Sequence, residues 1–160
     1  MGVKMNYENF TIKTQEALQE ASSIALKNDN SEISTEHVLL ALLEQQEGLI
    51  PPIVERIGIS VNELKNKIKD LLNKFPKVQG AAQVYFSTQM QKILAKAETH
   101  MTELHDQYLS TEHIFLSIVE SDGECGNLLK SFGITYKAVL EALKSVRGNQ
   151  SVDTQDPESK

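Results

Sequence analysis

The tetrapeptide Ser34-Thr35-Glu36-His37 returns as Ser110-Thr111-Glu112-His113, 76 positions later. The match extends to both sides. Phe10 falls on Phe86, Leu18 on Leu94, Ala21 on Ala97, Ile33 on Leu109, Leu40 on Leu116 and Glu44 on Glu120. One residue is then lost, and Gly58-Ile59 falls on Gly133-Ile134. A repeat of this length means that one supersecondary unit is made twice. Function then depends on what two copies of that unit present to a partner.

Inside each unit the apolar residues recur at helical spacing. Ala17, Leu18, Ala21, Ile24 and Ala25 form one stripe, which Asn28-Asp29-Asn30 ends. Ser34 is placed to cap a second helix, with Glu36 in its first turn, where a carboxylate suits the helix dipole. Val38, Leu39, Leu42 and Leu43 are its buried face, and Gly48 closes it. Pro51 and Pro52 open a third helix, since a missing N–H is no loss in a first turn. Gly58 stops that helix. Ser60 and Glu63 have the spacing of a capping box ahead of Leu64, Ile68, Leu71 and Leu72. The second unit repeats the plan from Ser87 or Thr88 to Val146.

The fold class expected is therefore all-α, with two pseudo-twofold-related four-helix repeats packed into one globular domain. The boundaries read as an extension over 1–5, a first repeat over 6–74, a connector over 75–85, a second repeat over 86–147 and a polar linker over 148–160. The connector carries Pro76 and Gly80. The last segment is too poor in apolar residues to order itself by burial.

Composition limits the partners. The hydrophobic fraction of 40% supports a globular core. A net charge of -6 argues against a nucleic-acid binder, which needs a basic face for phosphates. No apolar run reaches the roughly 20 residues of a membrane span. The single Cys125 has no internal disulfide partner, which suits a reducing compartment.

No catalytic set stands out. The glycines stand at helix ends, not in a phosphate-cradling loop. His100 and His105 are five residues apart and do not share a helical face. Nothing beside Cys125 in the sequence is an obvious base, so neither a metal site nor a nucleophile is expected. His37 and His113 read as polar first-turn residues satisfied locally. The repeated polar residues say more. Thr11 and Ser87 precede the long helix of each repeat, and Glu36 and Glu112 sit in the first turn of the next. If those helix starts meet, N–H groups, a hydroxyl and a carboxylate cluster, a set able to grip a backbone or a guanidinium. The alternative is that all four only stabilise helix ends.

The paired Phe-[Thr/Ser] starts, the doubled Ser-Thr-Glu-His and the Gly-Ile turns resemble the Clp N-terminal repeat domain, over about Asn6 to Val146. Asn9-Phe10-Thr11-Ile12-Lys13 and the tail from Val146-Arg147-Gly148-Asn149-Gln150 to Lys160 are similar to the ClpB-type disaggregases within that family. The resemblance implies a non-catalytic, cytoplasmic module that engages unfolded or aggregated clients. It implies a homohexameric AAA+ parent working with the DnaK system, whose ATP and Mg belong to other modules. By the same resemblance Thr11, Asp106 and Glu112 are client-binding positions, with Glu36 and Ser87 their first- and second-repeat counterparts. In ClpC-type relatives the corresponding Glu positions bind phosphorylated arginine, so an adaptor- or phosphoarginine-docking domain is the alternative. The family also uses an apolar groove beside the second long helix. Here the positions flanking that helix read Lys92, Lys96, His100 and His113, all expected to face outward.

Overall fold

The computed structural model describes residues 7–80, 83–148, 152, 153 and 155. The extension over 1–5 and most of the segment over 148–160 lie outside the described residues. After a short 3-10 turn at Tyr7–Asn9 come α1 (Ile12–Lys27), β1 (Glu32–Ile33), α2 (Thr35–Glu44), α3 (Ile50–Ile57) and α4 (Val61–Leu72). The second repeat gives β2 (Tyr85–Phe86), α5 (Thr88–Glu103), α6 (Thr111–Glu120), α7 (Glu124–Ser131) and α8 (Tyr136–Arg147). Among the described residues, eight helices in two sets of four match the all-α expectation.

The local signals place the helix ends. Thr11, Ser60, Ser87 and Thr135 each accept a hydrogen bond from the amide three residues on. Gly58 ends α3 at φ +103°, a left-handed conformation that glycine adopts without a Cβ clash. Asp29 and His105 occupy equivalent places after α1 and α5 and both have positive φ, +56° and +59°. The repeat therefore extends to backbone conformation. Gly48 is not the end of α2, which stops at Glu44 with Gln45 at its C-cap.

The second helices are central. In α2 every residue from Thr35 to Leu43 is buried, and in α6 every residue from Thr111 to Val119. A helix buried all round sits inside a core. α1 packs along α2 and α5 along α6, while α2 and α6 touch each other. Leu39, Leu42, Ile53 and Ile68 join Met90, Ile114, Phe115 and Leu116 in one continuous apolar cluster. The repeats thus share a core and are not separate domains. Each such side chain contributes roughly 1.5–3 kcal/mol by leaving water.

Two short parallel pairings tie the repeats together. β1 pairs with β2, Glu32 opposite Tyr85 and Ile33 opposite Phe86. Phe10 pairs with Leu109 in the same sense. Since Phe10 and Phe86 are equivalent, as are Ile33 and Leu109, each repeat lends its entry segment to the other.

Candidate functional site

That exchange decides which polar residues meet. The Ser87 amide donates to Ile33 O at 3.0 Å, and the Thr11 amide to Leu109 O at 3.0 Å. Thr14 Oγ1 also donates to Leu109 O, at 3.0 Å. The start of α1 therefore lies at the start of α6, and the start of α5 at the start of α2. Thr11 belongs with Asp106 and Glu112, and Ser87 belongs with Glu36. Both clusters are built across the repeats rather than within them.

The two hydroxyls are engaged as caps. Thr11 Oγ1 accepts from the Thr14 amide at 3.2 Å, and Ser87 Oγ from the Met90 amide at 3.1 Å. Thr11 is fully buried, whereas Ser87 is half-buried and lines a concavity.

His37 and His113 take the third helical position, where a capping box usually has Glu or Gln. The Ser34 amide donates to His37 Nδ1 at 2.9 Å, and the Ser110 amide to His113 Nδ1 at 2.8 Å. With Nδ1 accepting, Nε2 carries the proton and donates to Asn30 Oδ1 at 2.9 Å in repeat 1 and to Asp106 Oδ2 at 2.7 Å in repeat 2. Both imidazoles are fully buried. The local role expected for them holds, but His113 does not face outward. Asn30 and Asp106 are buried too, so neither is a surface difference between the copies.

In the second repeat the cluster is covered. Arg147, in the last turn of α8, contacts Asp106 Oδ1 through Nη2, and its Nη1 lies 3.8 Å from Glu112 Oε2. The Val152 amide donates to Asp106 Oδ1 at 2.8 Å. Glu112 is completely buried, and neither of its oxygens has a hydrogen-bond partner among the described residues. Burial lifts its carboxyl above the ordinary value, with Asp106 adding to the rise and His113 and Arg147 opposing it. Burial also works against the Asp106 carboxylate, but the bonds from His113, Arg147 and Val152 together hold it below the usual range. Val152, within the stretch read as a polar linker, is 3% exposed.

In the first repeat the cluster is open. A concavity of about 380 Å³ is lined by Asn30, Ser34, Thr35, Glu36, Phe75, Ser87 and Glu124. Burial raises the Glu36 carboxyl, its own amide and Ser34 lower it, and Glu124 adds to the rise. A carboxyl so placed gains from any cation brought beside it. Lys77 Nζ instead turns to Asn28 O at 3.0 Å.

The groove beside α5 is lined by Ile93 and by the polar or charged side chains Gln89, Lys92, Lys96, Ser117, Glu120 and Asp122. Lys92 and Lys96 are exposed as expected, but His100 is buried against Glu120 and the Tyr136 ring. A second groove, with more apolar residues in its wall, lies beside α1. It measures about 430 Å³ and is lined by Leu18, Ile33, Val84, Tyr85 and Phe86, with Gln15, Gln19 and Ser22 at its rim. Tyr85 is 68% exposed. The groove and the Glu36 concavity flank the same β1–β2 pair. Sequence reasoning missed this groove, although the run Val84-Tyr85-Phe86 where the connector meets the second repeat was its signal. It also missed Arg147. Its signal was a paired replacement, Asn30 with Leu72 in one repeat and Asp106 with Arg147 in the other.

Among the described residues, no helix is long and apolar enough to cross a membrane. The family model for the Clp repeat (R) N-terminal domain matches residues 9–132. The chain is 36% identical over 159 residues to the chaperone protein ClpB of Bacillus anthracis, covering 97% of this chain and 18% of that protein. The chain therefore spans about a fifth of the curated relatives it matches. In structure it is similar to the Hsp104 N-terminal domain from Candida albicans, at TM-score 0.82 and 22% identity, covering 95% of this chain and 99% of that one. It is also similar to a ClpV N-domain solved in complex with a VipB peptide, at TM-score 0.74 and 19% identity, covering 96% and 98%. With a family match across most of its length and a curated relative at this identity, the chain belongs to the Clp N-terminal repeat family.

Proposed function

We propose that this chain is a client-engaging N-terminal module of a ClpB-type disaggregase. It binds unfolded or aggregated polypeptide weakly and does no chemistry itself. The observation that carries the reading is the apolar groove beside α1, walled by Leu18, Ile33 and Phe86 and edged by the exposed Tyr85. A groove with apolar walls, a polar rim and an exposed aromatic at its edge suits one apolar side chain of an extended polypeptide. The acidic concavity with Glu36 and Ser87 lies across the β1–β2 pair, so one extended segment places an apolar residue in the groove and a basic one in the concavity. The ClpV N-domain bound to a VipB peptide supports a peptide ligand for this fold. Thr11, Asp106 and Glu112 complete the proposed site behind Arg147 and Val152. The parent in this reading is a homohexameric, cytoplasmic AAA+ ATPase working with the DnaK system. Its ATP and Mg sit in other modules.

The test is an NMR titration with a permanently unfolded polypeptide, reduced carboxymethylated α-lactalbumin. Amide shifts clustering at Leu18, Ser22, Tyr85, Phe86 and Glu36 are expected. Shifts scattered over the surface, or none at saturating client, would remove the assignment.

A second reading is favoured by the carboxylates alone. Glu36 and Glu124 face one concavity, and Glu36 is held above its ordinary protonation range. That suits a guanidinium, as in an adaptor- or phosphoarginine-docking domain of a ClpC-type unfoldase. Titration with free phosphoarginine separates the two. Shifts confined to Glu36, Ser87 and their neighbours, with none in the apolar groove on adding client, favour the second.

A further inference from the structure

The two long helices agree on their inner faces and oppose each other on their outer ones. In α1, Glu16, Glu20, Ser23 and Lys27 follow at i, i+4, i+7 and i+11, a spacing that sets them on one helical face. The equivalent residues of α5 are Lys92, Lys96, Thr99 and Glu103. Every charge of the first stripe is inverted in the second, and the hydroxyl position is kept. Nowhere else do α1 and α5 exchange the sign of a charge. The inner faces keep Leu18 with Leu94 and Ala21 with Ala97, all four buried.

The stripes are free to meet a partner. All six of their charged residues are exposed. Glu20, Lys27, Lys92 and Lys96 enter no ion pair among the described residues. Each stripe also edges an equivalent concavity. Glu16 and Glu20 border one of about 530 Å³ between α1 and α2, and Lys92 and Lys96 one of about 610 Å³ between α5 and α6. The inner carboxylates there, Glu44 and Glu120, are engaged within the chain. Glu44 lies 3.9 Å from Lys65, and Glu120 contacts His100. The signs that distinguish the two faces are therefore those of the stripes.

The order of charges selects both a partner helix and its direction. Laid parallel and in register, α1 of one copy and α5 of another bring Glu16 to Lys92, Glu20 to Lys96 and Lys27 to Glu103. Laid antiparallel, the same helices set Glu16 against Glu103 and Lys27 against Lys92. Two copies of α1 attract only when antiparallel, and then through two ion pairs instead of three. Charges flanking a helix contact choose partners by this combination of attraction and repulsion.

We propose that the chain associates with further copies of itself head to tail, the α1 stripe of one copy resting on the α5 stripe of the next. The inference goes beyond client binding and does not depend on it. Such a contact is heterologous, so each pair of copies leaves one stripe of each kind unfilled, and the series either closes into a ring or continues. Exposed ion pairs are individually weak. The contact is accordingly reversible and is lost as salt rises. Flexible tethers to a common ring, as in the parent proposed above, hold copies at about millimolar effective concentration, where a weak contact forms.

The test is sedimentation equilibrium of the whole chain up to about 1 mM, in about 50 mM and about 500 mM salt. The apparent mass rises with concentration in the lower salt and stays that of one chain in the higher. A chain that remains single in both overturns the proposal. Two variants, Glu16→Lys with Glu20→Lys and Lys92→Glu with Lys96→Glu, each weaken association by about fivefold or more. Their substituted side chains are exposed, so the fold is retained. Mixed in equal amounts, the two variants associate at least as well as the parent, because each supplies the stripe that the other now needs. Each double substitution shifts the net charge of -6 by four, so both variants stay negative and bulk attraction does not account for the recovery. A mixture no better than its components rules the α1–α5 contact out. Direction is read from Lys27→Glu, which weakens association, and from Glu103→Lys added in the same chain, which restores it. A loss that Glu103→Lys leaves in place means that α1 meets α1, and the head-to-tail contact falls.

Discussion

His37 Nε2 donates to Asn30 Oδ1 at 2.9 Å while its Nδ1 accepts from the Ser34 amide, so the fully buried ring is bonded at both nitrogens. Burial pushes its pKa down from 6.5 to about 4. A second proton must also displace the cap bond at Nδ1.

The stability of the domain should therefore fall on mild acidification. The folded ring prefers to stay neutral, so between its ordinary value and about 4 the unfolded chain binds more protons. Stability is fully present above the ordinary value and declines as pH falls toward the folded one. The limit of that loss is on the order of 3 kcal/mol. Urea unfolding across this range should give a clearly flatter profile for His37→Gln, which keeps a capping-box residue at the position. An identical profile would place the proton uptake elsewhere.

Asp106 titrates in a lower window. Its folded pKa is depressed, so its contribution is present above the ordinary carboxylate value and is lost as pH falls through the folded one. Asp106→Asn leaves Arg147 facing a carboxamide and should cost about 2–3 kcal/mol in urea unfolding. Asp106→Asn with Arg147→Leu recreates the first-repeat pair. It should recover part of that loss, with a coupling of about 1–3 kcal/mol in the double-mutant cycle. Additive losses would mean that the two residues do not act as a pair.

Gly126 in α7 has no room for a side chain. A Cβ there would meet Ser121 O at 2.1 Å, a backbone atom that cannot turn away. Gly126→Ala should lower stability by about 1–3 kcal/mol. Its first-repeat equivalent is Pro51, a whole ring in the first turn of α3. The two repeats must therefore space their second and third helices differently. A thermal melt of the variant decides the point, and an unchanged Tm would contradict the close approach.

Tyr85 should affect binding but not folding. It is exposed, and its ring edges the apolar groove. Tyr85→Ser should weaken capture of an unfolded polypeptide by about threefold to tenfold, within the range seen when an aromatic anchor is truncated. Its urea midpoint should change little. Phe115→Ala, deep in α6, should do the reverse and cost about 3–5 kcal/mol. Equal effects of both changes on binding would argue against the groove.

Much of the architecture was legible along the chain because its causes are local. Thr11, Ser60, Ser87 and Thr135 cap helices through amides three residues away, and Gly58 needs only its own backbone. The tetrapeptide repeat carried the eight-helix plan. The burial of His100 and His113 was not legible, because an imidazole on a polar-looking face takes its environment from other helices. Nor were the strands, since two residues are too few to show alternation.

The sequence by itself therefore determined the helices, most of their ends and the doubling of the unit, because those follow from contacts within a turn or two. Only the tertiary structure decided which helix starts meet. Thr11 joins Glu112, and Ser87 joins Glu36, because each repeat pairs its entry segment with the other. The tertiary structure also decided that one cluster stands open and the other lies under Arg147 and Val152. Those contacts span 41 and 46 residues, and no spacing along a chain encodes a hydrogen bond at that distance.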